Sequence, residues 1–220
     1  METGWRFLQL ADSAFPSGGF AHSAGLEAAV QAREVTDSAG LGRFARDALW
    51  QAGHFGLPLV RAAHADPAAI PALDARADAF LANHVANRAS RTQGRALFAT
   101  AARIFPTEMR PLRAVAGNGG LKLHVAPLSG AVHQALGLGA EETLRLFLWT
   151  AMRGVLSAAV RLGLVGTHEA QAQQAGLAGA LEEVLAACGP LGTGSLAQTA
   201  PVADLLSAAH DRLYSRLFQS

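Results

Sequence analysis

The stretch that decides the fold is EETLRLFLWTAMRGVLSAAVRL, residues 141–162. Apolar side chains recur along it every three or four residues, which is the period of an α-helix. This apolar stripe consists of Leu144, Leu148, Met152, Val155, Ala159 and Leu162. The opposite side is nearly as apolar, because it carries Leu146, Phe147, Trp149, Leu156 and Val160. A helix that is apolar on most of its sides lies at the centre of a helical bundle.

The rest of the chain shows the same helical period. Alanine and leucine dominate and β-branched residues are sparse, a composition that favours helices. Further helices are predicted at 23–33, 38–52, 71–104 with a break, 124–136, 176–187 and 202–218, and a glycine cluster at 117–120 predicts a turn. The sequence therefore predicts an all-α, single-domain helical bundle with a buried central helix and a C-terminal docking segment.

The predicted organisation has three parts. Residues 1–188 form the all-helical domain. Residues 189–201 contain three glycines, carry prolines near both ends and lack periodicity, so we expect a linker loop that is disordered in the free protein and ordered on binding. Residues 202–220 form an amphipathic segment, which either docks in the groove of a partner or packs back onto its own bundle.

The composition excludes several classes of protein. The chain has 220 residues, of which 50% are hydrophobic and 16% charged, so it can bury a core. A formal net charge of +1 provides no field for non-specific nucleic-acid binding. One cysteine excludes disulfides and Cys-pair zinc sites, and eight histidines show no metal-ligand spacing. We therefore expect no cofactor and no metal cage, and only a weak or interfacial metal contact stays open. Without a signal-peptide pattern or a membrane-length apolar run, a cytoplasmic protein is expected.

The loop DSAFPSGGFAH, residues 12–22, precedes the first predicted helix. Its glycines permit positive φ angles and a close approach of the backbone. It lacks the lysine and spacing of a P-loop and the Gly-x-Ser-x-Gly nucleophile elbow, so we expect no nucleotide site and no catalytic residue. The loop is either a structural turn or a contact for a partner or ligand. The candidate contact residues are Phe15, Pro16, Ser17, Gly18, Gly19, Phe20 and His22.

A basic face is predicted on the helix within 71–104, because four basic side chains follow at spacings of four, three and four. These are His84, Arg88, Arg91 and Arg95. The arginines either pair with acids on neighbouring helices, such as Glu27 or Asp47, or bind carboxylates or phosphates of a partner.

A second polar line runs along the central helix, where Arg153, Ser157 and Arg161 are spaced four residues apart. Arginines on so apolar a helix are costly unless they are paired. They therefore either reach the surface or hold a buried polar network.

Four stretches, taken in order, carry a resemblance to a known family. They are LQLADSAFPSGGF at 8–20, continued by His22-Ser23 and Gly25-Leu26-Glu27; NRASRTQGRAL at 87–97; LSAAVRLGLVG at 156–166; and LYSRLFQS at 213–220. Together they span nearly the whole chain and resemble the family of the urease accessory protein UreF. One departure is Gln219, which stands where many relatives are expected to have arginine.

The resemblance implies an all-α, dimeric maturation factor rather than an enzyme. Such a protein forms a complex with UreD, also called UreH, and with the GTPase UreG. The complex docks on the apo-urease subunits and promotes nickel delivery. In that family the C-terminal segment and the N-terminal region contribute to the UreD/UreH interface. This implies partner contacts for residues 15–22 and for Tyr214, Arg216, Leu217 and Phe218.

The surface that would meet UreG is not assigned by the resemblance. Arg88, Arg91 and Arg95 are candidates by their chemistry alone, with regulation of GTP hydrolysis as the implied role. An all-α ligand-binding or DNA-binding regulator is the alternative, with residues 84–95 as its recognition face. An arginine-finger activator of a GTPase is a third reading.

Overall fold

The computed structural model describes residues 2–117 and 120–220. Within these ranges the chain forms twelve α-helices and no strand, so the predicted all-α class is confirmed. The first six helices are α1 (Glu2–Ala11), α2 (Leu26–Gln31), α3 (Ser38–Gln51), α4 (Leu57–Ala65), α5 (Ile70–Phe80) and α6 (His84–Ile104). The other six are α7 (Arg110–Ala116), α8 (Val125–Ala135), α9 (Ala140–Arg161), α10 (Thr167–Gly176), α11 (Ala178–Cys188) and α12 (Pro201–Ala208).

Two expectations concern this set of helices. None of the helices in the described ranges is both long and apolar enough to cross a membrane. The turn predicted at 117–120 includes Asn118 and Gly119, which lie outside the described residues.

The central helix predicted from residues 141–162 is α9. Its side chains Leu146, Leu148 and Met152 are each only 1% exposed, and α3, α4, α8 and α10 pack around it. Its N-terminus is fixed by Glu142, whose Oε2 accepts a hydrogen bond from the amide of Gly139 at 2.9 Å. The buried central helix is therefore confirmed.

The most extensive helix pair in the core is α4 with α8. Gly130 of α8 allows it, because a Cβ at this position would collide with the carbonyl of Val60 on α4. A π-helical turn, Ala52–Gly56, joins α3 directly to α4. Helix α4 is absent from the predicted set, because glycines interrupt the helical period at this turn. Helices α1, α7 and α10 are absent from it as well.

Two predicted helices differ from the structure at their interiors or ends. The predicted break within 71–104 is confirmed: residues 81–83 separate α5 from α6, and the Asn83 side chain accepts hydrogen bonds from the first amides of α6. A single helix over 202–218 was wrong. Helix α12 ends at Ala208, a 3-10 turn covers His210–Arg212, and no helix follows.

The loop 189–201 lies against α3 and α4. Arg61 Nη1 donates to the carbonyl oxygen of Pro190 at 2.5 Å, and Gln51 Oε1 accepts from the amide of Thr199 at 2.5 Å. These bonds give the loop specific anchor points on the bundle. The division into helical domain, linker and docking segment stays a prediction.

Candidate partner-docking surface

The loop between α1 and α2 packs against α6. Gly18 has a φ of +78°, which favours glycine. A Cβ at this position would approach the Cβ of Ala96 to 2.9 Å, so the loop backbone lies close to the helix. Phe15 is drawn into the core and is 8% exposed, whereas Phe20 projects outward and is 71% exposed. The loop is thus a turn packed on α6 that presents one aromatic ring.

The C-terminal tail, residues 209–220, lies alongside this loop. The amide of Ser23 donates to the carbonyl of Ser220 at 2.6 Å, and the amide of Gln219 donates to the carbonyl of Ala21 at 2.8 Å. The Ser23 hydroxyl also donates to the Ser220 carbonyl at 2.9 Å. Two segments about two hundred residues apart in sequence therefore form one continuous surface.

A buried carboxylate on α2 holds this tail in place. Glu27 is 2% exposed. One of its oxygens accepts from the amide of Leu217 at 2.6 Å, and the other accepts from the amide of Phe218 at 3.1 Å. The imidazole Nε2 of His210 lies 3.0 Å from the second oxygen. A buried charge with this many partners is satisfied rather than strained.

The second polar line of the sequence ends at the same surface. The Arg161 guanidinium on α9 stacks on the ring of Phe20 at 3.7 Å and on the ring of Phe218 at 4.3 Å. It also donates to the carbonyl of Phe20. Arg153, two turns earlier, donates to the carbonyl of Ala11. These arginines tie the central helix to the N-terminal loop and to the tail through hydrogen bonds and cation–π contacts.

The basic face of α6 binds an acid of the tail. Arg88 makes a two-pronged ion pair with Asp211, at 2.7 and 3.1 Å. His84 Nε2 lies 3.2 Å from the same carboxylate, and Arg216 Nη1 lies 3.5 Å from it. The Arg88 hydrogen bonds lower the pKa of Asp211. The acid that pairs with this face is therefore Asp211, not Glu27 or Asp47.

This pairing also bears on the DNA-binding alternative. Asp211 neutralises part of the positive charge of residues 84–95, which weakens the attraction of this face for a phosphate backbone. Nothing else in the described residues favours that reading.

The structure places the predicted contact residues in three groups. Buried are Phe15, His22 and Phe218; half-buried are Ser17, Gly18, Gly19 and Arg91; exposed are Pro16, Phe20, Arg88, Arg95, Tyr214, Arg216 and Leu217. Tyr214 is fully exposed and Leu217 is 53% exposed. A partner would meet the exposed group directly, whereas the buried residues position it.

His22 is a buried member of this surface. Its Nδ1 lies 2.6 Å from the Ser220 hydroxyl, and its Nε2 has no hydrogen-bond partner among the described residues. Burial, with smaller contributions from the neighbouring Arg88 and His210 side chains, lowers the pKa of His22 to about 4. The ring is therefore neutral at physiological pH.

Four residues that build the surface are not among the predicted contacts. They are Glu27 as an anchor of the tail, His210, Asp211 and Arg161 as a partner of two aromatic rings. The one signal in the sequence is that Glu27 is the lone charged residue of α2, LEAAVQ, where apolar residues flank it on both sides. An acid surrounded by apolar positions is rarely buried without a partner.

A serine–histidine–aspartate set occurs away from this surface. His124 Nδ1 lies 3.0 Å from the Ser90 hydroxyl, and its Nε2 lies 3.1 Å from Asp78 Oδ1. The imidazole is completely buried, so no substrate can reach it, and Ser90 also accepts from the amide of Val125. We interpret the set as a structural clamp. Among the described residues, no three His, Cys, Asp or Glu side chains are grouped to hold a metal ion.

Comparisons with known proteins identify the family of the chain. The profile of the UreF family matches residues 35–178. Urease accessory protein F of Arabidopsis thaliana is 38% identical, over 98% of this chain and 92% of its own length. The protein of the same name from Oryza sativa subsp. indica is 37% identical, over 97% of this chain and 84% of its own length. Urease accessory protein UreF of Mycobacterium sp. (strain JLS) is 32% identical over the full length of both chains. The chain belongs to the UreF family of urease accessory proteins, which are accessory factors rather than enzymes.

Proposed function

We propose that this protein is an adaptor in urease maturation, needed for nickel insertion into apo-urease. It bridges UreD/UreH and the GTPase UreG, works as a homodimer in the cytoplasm and binds no nucleic acid or membrane. Family membership supports the role in maturation. The observation that carries the adaptor role is the joined surface of N-terminal loop and tail, which exposes apolar side chains beside charged ones.

This surface has the composition of a docking site. Phe20, Tyr214 and Leu217 expose large apolar area, and Arg216 lies next to them with its guanidinium near Asp211. Aromatic side chains and arginine are the residues that dominate binding energy in protein interfaces. We therefore propose that UreD/UreH covers this surface, with Tyr214 and Leu217 as its central contacts.

The face for UreG is proposed on α6. Arg88 is paired with Asp211, so its substitution also disturbs the tail. Arg95 is exposed and lies at the C-terminal end of the basic face of α6. Arg95→Ala is therefore the informative variant: it should slow or speed GTP hydrolysis by UreG in the complex while UreD/UreH binding is retained. An unchanged rate for Arg95→Ala and Arg91→Ala would remove the proposed contact with the GTPase.

The experiment that tests the adaptor role is co-purification from cells that express UreD/UreH, UreG and the urease subunits. Leu217→Ala and Tyr214→Ala should each reduce recovery of UreD/UreH about tenfold or more, because contacts at interface centres contribute about 2 kcal/mol each. Nickel-dependent urease activation should fall in parallel. Ile104→Ala at the C-terminal end of α6 is the matched control, since Ile104 is 44% exposed and lies outside the loop, the tail and the basic face. Equal recovery with all three variants would refute the docking role.

A further inference from the structure

The segment between α11 and α12, residues 189–200, ends against one side chain of α3. The Oε1 atom of Gln51 accepts hydrogen bonds from the amides of Thr199 and Ala200, at 2.5 and 3.1 Å. Its Nε2 atom donates to Gln198 Oε1 at 3.3 Å. Gln51 is the last residue of α3, so the end of the segment is held at the point where α3 passes into the π-helical turn.

Two arginines hold the backbone of the same segment further upstream. Arg61 Nη1 of α4 donates to the carbonyl oxygen of Pro190 at 2.5 Å. Arg76 Nη1 of α5 donates to the carbonyl oxygen of Thr193 at 3.0 Å. Both bonds fix the path of the main chain. Two apolar side chains of the segment also pack against the hydrophobic core, Leu191 and Leu196.

The segment also starts beside the π-helical turn. A Cβ at Gly53, within this turn, would lie 3.0 Å from the Sγ atom of Cys188, so the last residue of α11 packs directly on the turn. The 3-10 turn Thr193–Ser195 of the segment then packs on α4. The chain therefore leaves the corner between α3 and α4, passes over α4 and returns to the end of α3.

We infer that residues 189–200 form a strap, held closed by Gln51, that is ordered in the free protein and fixes the point where the C-terminal segment leaves the bundle. This inference goes beyond the proposed function, because it requires neither a partner nor order in residues 201–220. A disordered linker, which the glycine and proline content favours, is the competing explanation. The bonds that order the strap come from α3, α4 and α5, which are distant in sequence.

The closed strap restricts the C-terminal segment. With the strap closed, residues 201–220 start at a fixed position beside α3. With the strap open, the free chain would start at Cys188, twelve residues earlier. The reach of a flexible segment grows with its number of free residues, so closure of the strap limits where the C-terminal segment can bind.

A second glutamine provides a matched control for Gln51. Gln173 Nε2 of α10 donates to the carbonyl and to the hydroxyl of Ser38, at 2.9 and 2.8 Å. It thus joins α10 to the start of α3 without touching the strap. Both glutamines are half-buried, so Gln51→Ala and Gln173→Ala remove the same side chain from equivalent surroundings.

The first measurement is amide hydrogen exchange of the full-length wild type without partners. A closed strap should slow exchange at Thr199 and Ala200 about tenfold or more relative to an unstructured chain, because their amides are bound by Gln51. Exchange at the unstructured rate throughout residues 189–200 would identify a disordered linker and overturn the inference.

The second measurement is the same exchange in Gln51→Ala. Opening of the strap should accelerate exchange about fivefold or more at Leu191 and Ser195 as well, although Gln51 does not touch them, since their amides bond only within the segment. Gln173→Ala should leave both rates unchanged. Acceleration confined to Thr199 and Ala200 would show that Gln51 binds two amides without closing the strap.

A further variant keeps this test decisive if Gln51→Ala does not fold. Arg76 is exposed, and Arg76→Ala removes only the bond to the Thr193 carbonyl. It should likewise accelerate exchange at Leu191 and Ser195. Unchanged rates at both amides would overturn the inference.

The third measurement separates the strap from the tail. Glu27→Gln disturbs the bonds of the tail to α2, and strap exchange in this variant should stay within about twofold of the wild-type rate. Joint acceleration of strap and tail would show that they order as one unit, so that the strap fixes no separate exit point. All three measurements use the protein alone, so their outcome is independent of the proposed adaptor role.

Discussion

Two buried carboxylates, Glu27 and Asp74, both accept hydrogen bonds from backbone amides, but they hold different kinds of segment. Each is 2% exposed, and each binds backbone amides of a distant, non-helical segment. Asp74 holds residues 122–124, which lead into α8 and the core. Glu27 holds the tail, whose neighbouring side chains Tyr214 and Leu217 face solvent.

The difference lies in what the held segment can do when the bonds are lost. Residues 122–124 precede α8, which is buried against α4 and α6, and Leu123 has a φ of +66° that only its surroundings maintain. This segment cannot move into water without disturbing the core. The tail can leave the surface and be solvated. Buried carboxylates in one fold can thus hold a core segment in one place and a surface segment in another.

Asp74→Asn should have the largest effect on stability. It removes acceptors from the backbone amides of residues 122–124, and these amides cannot reach water instead. We expect the free energy of unfolding to fall by about 3 kcal/mol, against about 1 kcal/mol for Glu27→Gln. Urea denaturation followed by circular dichroism measures both. Similar losses of unfolding free energy in the two variants would contradict this distinction, since the tail would then contribute as much to stability as residues 122–124.

Features that depend on neighbouring residues in the chain can be predicted from the sequence, whereas contacts between distant segments cannot. The central helix, the break before α6 and the all-α class follow from local period and capping residues such as Asn83. The separate tail and loop were also recognised as candidate contacts. Their connection was not, because Glu27 and His210 are 183 positions apart and no local pattern specifies which acid meets which amide. The helix predicted over 202–218 failed for the same reason: Glu27 takes the amides of Leu217 and Phe218, a tertiary bond that overrides an amphipathic pattern.

Acidification should weaken the tail region through His22, an effect of intermediate size. Its pKa is lowered to about 4 by burial, then by Arg88 and His210, whereas an exposed histidine titrates near 6.5. Below pH 6.5 His22 therefore binds a proton in the unfolded state but stays neutral in the folded state until the pH approaches 4. The contribution is fully present above pH 6.5 and is lost progressively as the pH falls towards 4.

The measurement is unfolding free energy and trypsin cleavage in the tail between pH 7 and 4.5. His22→Asn is the control: its amide can replace Nδ1 beside Ser220 but does not titrate. We expect a flatter pH dependence for this variant than for the wild type, with tail cleavage rising less at low pH. Identical profiles for the two proteins would show that His22 does not couple the tail to pH.

Asp211→Asn should have the smallest effect, and its size sharpens the distinction between buried and exposed anchors of one tail. Asp211 binds Arg88 at 2.7 Å, but the two side chains are 34% and 47% exposed, and exposed ion pairs contribute about 0.5 kcal/mol. The Arg88 hydrogen bonds lower the pKa of Asp211, so the pair is intact above the ordinary carboxyl pKa and is lost only as the pH falls through the lowered folded value. At neutral pH we expect Asp211→Asn to change the unfolding free energy by less than about 0.5 kcal/mol and to make tail cleavage less sensitive to salt. A loss as large as that of Glu27→Gln would mean that α6, rather than the buried carboxylate of α2, is the main support of the tail.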